Sequence, residues 1–253
     1  MPTFAANLTF LFKEYPFLER FAEARIAGFK WVEVLFPYDD SATEIERRMI
    51  QAGVQMALIN CPPPNYAGGS RGFAAIPGEE ERFRKDFIRA LRYAERLNVR
   101  HLHIMAGKAQ GHVARETYKR NLAWAAKEAP NQSLTIEPIN EIDMPGYFLN
   151  CFDLAAEILD EITAPNLGLQ FDAYHAQIIT GDALKAWEDH GHRARHIQIA
   201  SAPDRSEPHK GAIDYPAFFA QLDAQGYKGL VAAEYTPARR TEDGLSWLPE
   251  TAQ

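Results

Sequence analysis

The sequence predicts an α/β fold, a (β/α)8 TIM barrel made of one domain over residues 1–253, and three observations lead there. Short runs rich in Val, Ile, Leu and Phe alternate with longer amphipathic stretches, as expected of βα units that feed a parallel sheet. The chain divides into about eight such units, and 253 residues is a length at which a barrel of this kind forms one domain. No GxGxxG fingerprint follows the first apolar run, which counts against the rival doubly wound open sheet.

In order, strands are predicted over residues 4–8, 31–35, 54–60, 101–105, 134–138, 167–171, 196–200 and 230–234, each short and apolar as a buried barrel strand should be. Helices are predicted over 17–27, 41–52, 79–97, 115–129, 151–162 and 215–225, where apolar residues recur at three- and four-residue spacing. Gly28, Gly53 and Gly226 follow helical patterns where a left-handed residue ends a helix, and Ser41 and Asp214 stand at N-cap positions. The segment 61–78, CPPPNYAGGSRGFAAIPG, is the longest without periodicity; following the third strand, it is read as a lid over a site. No low-complexity tract or charge run marks a linker.

A net charge of -7 and a pI near 5.6 argue against a nucleic-acid partner, because binding a phosphate backbone calls for clustered Lys and Arg. Cys61 and Cys151 lie 90 positions apart with no CxxC, which suits a reducing compartment and makes a cytoplasmic location the expectation. The opening residues carry no basic stretch ahead of an apolar one, and no run of 18 apolar residues occurs, so no export signal or membrane partner is expected.

In such a barrel the chemistry sits where strands end and βα loops begin, so polar residues closing apolar strands are the candidates. Glu137 closes LTIE, Asp172 closes LGLQFD, Gln198 lies in HIQIA and Glu234 closes LVAAE; their separations of 35, 26 and 36 are about one βα unit each. Three carboxylates and an amide oxygen suit one divalent ion, Mg²⁺ or Mn²⁺, better than Zn²⁺. Taken singly, each acid is as well explained by a salt bridge to a neighbouring Arg or Lys; four in consecutive units are harder to explain that way. The chemistry open to such a set is aldose–ketose interconversion through an enediolate, with Glu137 and Glu234 as base and acid and Asp172 and Gln198 as ligands only.

His175, three residues past Asp172, and Arg205, seven past Gln198, are candidate donors to a substrate hydroxyl and carboxylate, with a loop histidine and a solvated arginine as the alternatives. His101 and His103 share one strand face and are read as satisfied barrel histidines rather than a metal pair; His190 and His192 are read as solvated.

Seven ordered blocks, FAANLTFLF, GFKWVEVLFPYD, RGFAAIPG, HIMAG, TIEPIN, LQFDAYHAQ, and HIQIA with GAIDY, make the chain resemble the hydroxypyruvate isomerases of the xylose isomerase-like barrel superfamily over almost its whole length. The resemblance implies a Mg²⁺ or Mn²⁺ site on Glu137, Asp172, Gln198 and Glu234, acid/base roles for Glu137 and Glu234, and substrate contacts at His175 and Arg205, with Glu33, Lys108 and Asp143 as further ones. It also implies a homo-oligomer, dimer or tetramer. Related ketose epimerases usually carry histidine where Gln198 stands, so the amide points to the hydroxypyruvate isomerase branch. The implied substrate is a small hydroxy-oxo acid, in the first place hydroxypyruvate exchanging with 2-hydroxy-3-oxopropanoate (tartronate semialdehyde); a four-carbon acid such as 2-oxo-tetronate (2-dehydrotetronate), or a related ketose isomerase or epimerase activity, is the alternative. The proline-rich NCPPPNYAGGSRG departs from the NLPAG-like start of close hydroxypyruvate isomerases and keeps the four-carbon alternative in play. A metal-dependent endonuclease and a binding protein without turnover are the alternatives from other classes.

Overall fold

The computed structural model describes residues 2–61, 71–209 and 211–248, so the middle of the predicted lid, 62–70, lies outside the described residues. Eight parallel strands, β1 (Thr3–Asn7), β2 (Trp31–Glu33), β3 (Gln55–Asn60), β4 (His101–His103), β5 (Ser133–Ile136), β6 (Leu167–Asp172), β7 (Ala194–Ile199) and β8 (Leu230–Ala233), pair in sequence order and close β8 onto β1. Each falls on a predicted strand. The helices α1 (Arg20–Ile26), α2 (Ala42–Ala52), α3 (Glu80–Arg96), α4 (Gly111–Glu128) and α5 (Phe152–Ile162) follow the first five strands, and α8 (Tyr215–Ala224) precedes β8.

Two helices escaped the sequence reading, α6 (Ala173–Thr180) and α7 (Ala183–His190), both between β6 and β7. Helix α6 starts directly after a strand, is two turns long and buries the four consecutive residues Ala173 to Ala176, so it presents no one-faced periodicity. Helix α7 is equally short, below the window in which a 3.6-residue period can be counted. The helix ends follow local chemistry: the Ser41 side chain accepts from the Glu44 N–H, Asp214 from that of Ala217, and Gly53 closes α2 at φ 69°.

Strand alternation sorts side chains to two sides of the barrel wall. Outward, Val32, Ile59, Leu102, Leu134, Leu169, Phe171, Ile197 and Val231 join the helices in one large apolar core. Phe171 shows the pattern, its ring lying 5.3 Å from Phe152 of α5, 5.2 Å from Trp187 of α7 and 6.1 Å from Phe218 of α8. A smaller apolar cluster holds Ala5, Leu58, Leu230 and Ala232 with Trp31. Beyond it the barrel interior turns polar: Asn7, Glu33, His101, His103, Thr135, Gln170, His196 and Gln198 are all at most 5% exposed.

The apolar layer outside the wall should dominate stability. Phe171→Ala is expected to cost about 3–5 kcal/mol in urea unfolding, whereas Ile50→Ala, at a position 73% exposed, should stay within about 0.5 kcal/mol.

Candidate active site

The barrel's polar interior ends at the C-terminal rim in a ring of acids. Glu137 directly follows β5, Asp172 ends β6, Gln198 lies in β7 and Glu234 directly follows β8, each at most 5% exposed. One ligand atom each of Glu137, Asp172 and His175 lies within 4.8 Å of the other two. Arg205 bridges the next pair, its Nη2 2.6 Å from Glu234 Oε1 and 3.5 Å from Asp172 Oδ2.

Gln198 occupies the middle of a hydrogen-bond chain. Its Oε1 accepts from Gln170 Nε2 at 2.7 Å, while its Nε2 donates to Glu33 Oε1 at 2.8 Å and to Glu234 Oε2. Gln170 also donates to Glu137 Oε2 at 3.1 Å and accepts from Thr135 Oγ1. Asn7 ties Glu33 to Glu234, donating to each at 2.8 and 2.9 Å.

Above the acids opens a cavity of about 620 Å³ onto which Glu137, Glu234, His175, Arg205, Lys108 and Asp143 all face. Asp143 accepts from Tyr174 Oη and Arg205 Nη1. Seven of the nine residues singled out from the sequence therefore stand at the rim or in the cavity: these six and Asp172. Gln198 lies just beneath the rim. Glu33 is the correction. It was expected to touch substrate, but it is fully buried below the cavity, with Oε1 held by Asn7 and Gln198 and Oε2 facing His196 Nε2 at 2.6 Å. His190 is a second correction: only 14% of its side chain is exposed, and its ring packs 5.8 Å from Phe152.

Asn7, Gln170, His196 and Asn140 went unremarked in the sequence. The available signal was the period of two: Thr135, Gln170 and His196 each precede a rim residue by two positions and so point to the same side of the wall. Asn140 fixes His175. Its backbone and side-chain N–H groups both approach Nδ1, the latter at 2.7 Å, while its side-chain Oδ1 accepts from the Asp143 backbone N–H. Nδ1 is thus an acceptor, and the imidazole proton sits on Nε2, 3.6 Å from Asp172 Oδ2.

Burial sets the electrostatics. Loss of water pushes Glu33 and Glu234 up to about 8, raises Glu137 well above the carboxylate range with Asp172 and Glu234 adding repulsion, and raises Asp172 against the pull of Arg205. Burial works against the Arg205 charge too, but the acids around it, Glu234 and Asp172 foremost, raise its pKa. The buried imidazoles go the other way: His103, His175 and His196 fall to about 3 and His101 to about 2, so they are neutral. Glu33 and His196 accordingly share one proton as a neutral pair.

The residues fit a hard divalent cation. Asp172 Oδ2 is buried and accepts no hydrogen bond, between Glu137 and Arg205, and among the described residues Arg205 is the only Lys or Arg within ion-pair distance of these acids. The Gln198 oxygen, turned to Gln170 here, would join the set by an end-for-end turn of the amide.

A closed parallel barrel with buried carboxylates at its C-terminal rim defines a TIM-barrel enzyme whose site is built from the loops after its strands. The chain belongs to the xylose isomerase-like TIM barrel family, whose sequence profile matches residues 21–251, and within it to the group of the hydroxypyruvate isomerases. It is 46% identical to a 2-oxo-tetronate isomerase of Cupriavidus necator and 37% identical to the hydroxypyruvate isomerase of Escherichia coli, in each case over 98% of both chains. A solved structure from Brucella melitensis, described as an AP endonuclease of family 2, superposes with a TM-score of 0.94 at 44% identity over 98% of both chains. Among the described residues, no helix is long and apolar enough to cross a membrane.

The interior histidines give a pH test away from the acids. His101 is held neutral by burial, then by His196 and nearby arginines, down to about 2, whereas the unfolded chain protonates it near 6.5. Its contribution to stability is present above about 6.5 and is lost as pH falls toward 2. His101→Gln should therefore flatten the fall in unfolding free energy between about pH 6 and 4 by about 1.4 kcal/mol per pH unit, read by urea unfolding across that range.

Proposed function

We propose that this member of a family of isomerases is a metal-assisted enzyme that moves the carbonyl of a small hydroxy-oxo acid between C2 and C3. The observation that carries the reading is the pair of buried carboxylates, Glu137 and Glu234, which reach one cavity from either side of Asp172. The two candidate substrates are 2-oxo-tetronate and hydroxypyruvate. We place the four-carbon acid first, on the 46% identity to the 2-oxo-tetronate isomerase against 37% to the hydroxypyruvate isomerase.

Both substrates ask for the same steps. One glutamate takes the proton from the hydroxyl-bearing carbon beside the carbonyl; the C–H electron pair forms the C2–C3 double bond and the carbonyl π pair moves onto its oxygen, giving an enediolate. The proton of the neighbouring hydroxyl passes to that oxygen, the freed O–H pair forms the new carbonyl, and the C2–C3 π pair takes a proton from the other glutamate at the former carbonyl carbon. Glu137 and Glu234 are suited to this because burial raises both, Glu234 to about 8 and Glu137 well above the carboxylate range, which makes each a stronger proton acceptor than a solvated carboxylate. His175, with its proton fixed on Nε2, is a neutral donor to a substrate oxygen rather than a metal ligand. A Mg²⁺ or Mn²⁺ ion held by Glu137, Asp172, Glu234 and the turned amide of Gln198 would polarise the carbonyl and hydroxyl oxygens of the substrate. Arg205, which approaches two of those acids, holds their charge within the site.

Proton NMR of the metal-loaded protein with each acid in D₂O tests the proposal. Solvent deuterium should appear at the reacting carbon, with the higher kcat/KM on 2-oxo-tetronate, and chelation should abolish turnover. Glu137→Gln and Glu234→Gln should each lower kcat by about 10²- to 10⁴-fold. Absence of exchange on both acids would sink the reading, and a higher kcat/KM on hydroxypyruvate would reverse the order of substrates.

A further inference from the structure

Among the described residues three cationic side chains face the cavity, Arg71, Lys108 and Arg205, and their surroundings differ. The charge of Arg205 is already matched: its guanidinium lies 2.6 Å from Glu234, 3.4 Å from Asp143 and 3.5 Å from Asp172, and its carbon centre stands 4.9 Å over the Tyr174 ring. Arg71 and Lys108 make no ion pair or side-chain hydrogen bond among the described residues.

The backbone sets these two side by side. Gly72 forms an antiparallel bridge with Ala106, which places Arg71 opposite Gly107, the neighbour of Lys108. The approach needs glycine on both chains: a Cβ on Gly72 would lie 2.2 Å from Met105 O, and one on Gly107 2.4 Å from Gly72 O, at φ values of 94° and 89°. Ala75 N–H donates to Ala106 O at 2.8 Å, and Phe148 N–H donates to Gly107 O at 2.9 Å beside a second bridge between Lys108 and Tyr147. Three stretches of chain thus brace the residues that carry the two cations.

An anionic substrate entering this cavity meets Glu137, Asp143 and Glu234, and its own carboxylate needs positive charge that the protein has not already matched. We propose that Arg71 and Lys108 form the subsite for the substrate carboxylate, and that this pair, rather than Arg205, lets the enzyme select an acid over a neutral ketose. The arginine offers a two-pronged donor and the lysine a point charge, a combination suited to one carboxylate. The inference rests on the proposed hydroxy-oxo acid chemistry and adds to it the end of the cavity where the acid group sits.

Steady-state kinetics of the metal-loaded enzyme, of Arg71→Gln, of Lys108→Met and of the double variant test it. Each is assayed on 2-oxo-tetronate and on the neutral four-carbon ketose that carries CH₂OH in place of the carboxylate. Each single change should raise KM for the acid roughly tenfold to hundredfold, more than it lowers kcat, and the preference for acid over ketose should collapse in the double variant. Lys108→Arg should recover part of that preference. Wild-type turnover of the acid, with the preference intact in all three charge-removing variants, would overturn this inference alone. Failure of the wild type to isomerise either hydroxy-oxo acid would remove the proposed function and this inference with it.

Discussion

The constraint on which this molecule depends is that polar groups inside a closed barrel must satisfy one another. The strand backbones spend their N–H and C=O groups on the wall, and water is excluded, so each interior side chain needs a side-chain partner. The chain from Asn7 and Glu33 through Gln198 to Gln170 and Thr135 answers that need for its members, linking five of the eight strands through their inward positions, while His101 Nε2, His103 Nε2 and His196 Nδ1 have no hydrogen-bond partner among the described residues. Neutral members do most of it: amides, a hydroxyl, unprotonated imidazoles and the shared proton of Glu33 and His196. Ionised groups at the same depth would each cost several kcal/mol.

That network also decides what the rim can do. Three acids crowd the rim with one arginine among them, and burial makes their charged forms unfavourable. Such a cluster is stable if it holds protons or if positive charge is brought to it. Proton transfer and cation binding are therefore two expressions of one electrostatic condition, and the isomerase reading follows from it more directly than from any single residue. The amides of Gln198 and Gln170 have a part in both, since the direction in which each turns determines whether an oxygen or an N–H faces the acids.

The upper part of the cavity follows a different rule. There the backbone of the 71–75 segment meets the 105–108 segment without side chains between them, and this contact brings Arg71 beside Lys108. Side chains within the barrel are positioned by strand register; these two are positioned by a loop crossing that only a pair of glycines permits. The floor of the cavity is consequently fixed by the sheet, and its cationic side by two loops that touch.

The eight strands, six of the helices (α1 together with the 3-10 turn Phe17–Glu19 that leads into it, α2 to α5 and α8) and the ring formed by Glu137, Asp172, Gln198 and Glu234 were legible in the sequence, because apolar runs, helical spacing and an acid at a strand end are local patterns. The short helices α6 and α7 were not, since two turns give no countable period. Nor was the placing of Glu33: as a residue closing the second strand it looks like Glu137, and only the pairing of β1, β2 and β7 side chains across the interior puts it beneath the cavity, against Asn7 and His196. The donor role of His175 depends on Asn140, 35 residues earlier in the chain, and the contrast between Arg205 and the pair Arg71 and Lys108 depends on which acids lie within ion-pair distance. By itself the sequence determined which residues lie on the strands and at their ends, because backbone periodicity is a property of neighbours. Which of those residues share a proton, a charge or a cavity was decided by tertiary structure, because burial and distance arise only when the barrel closes.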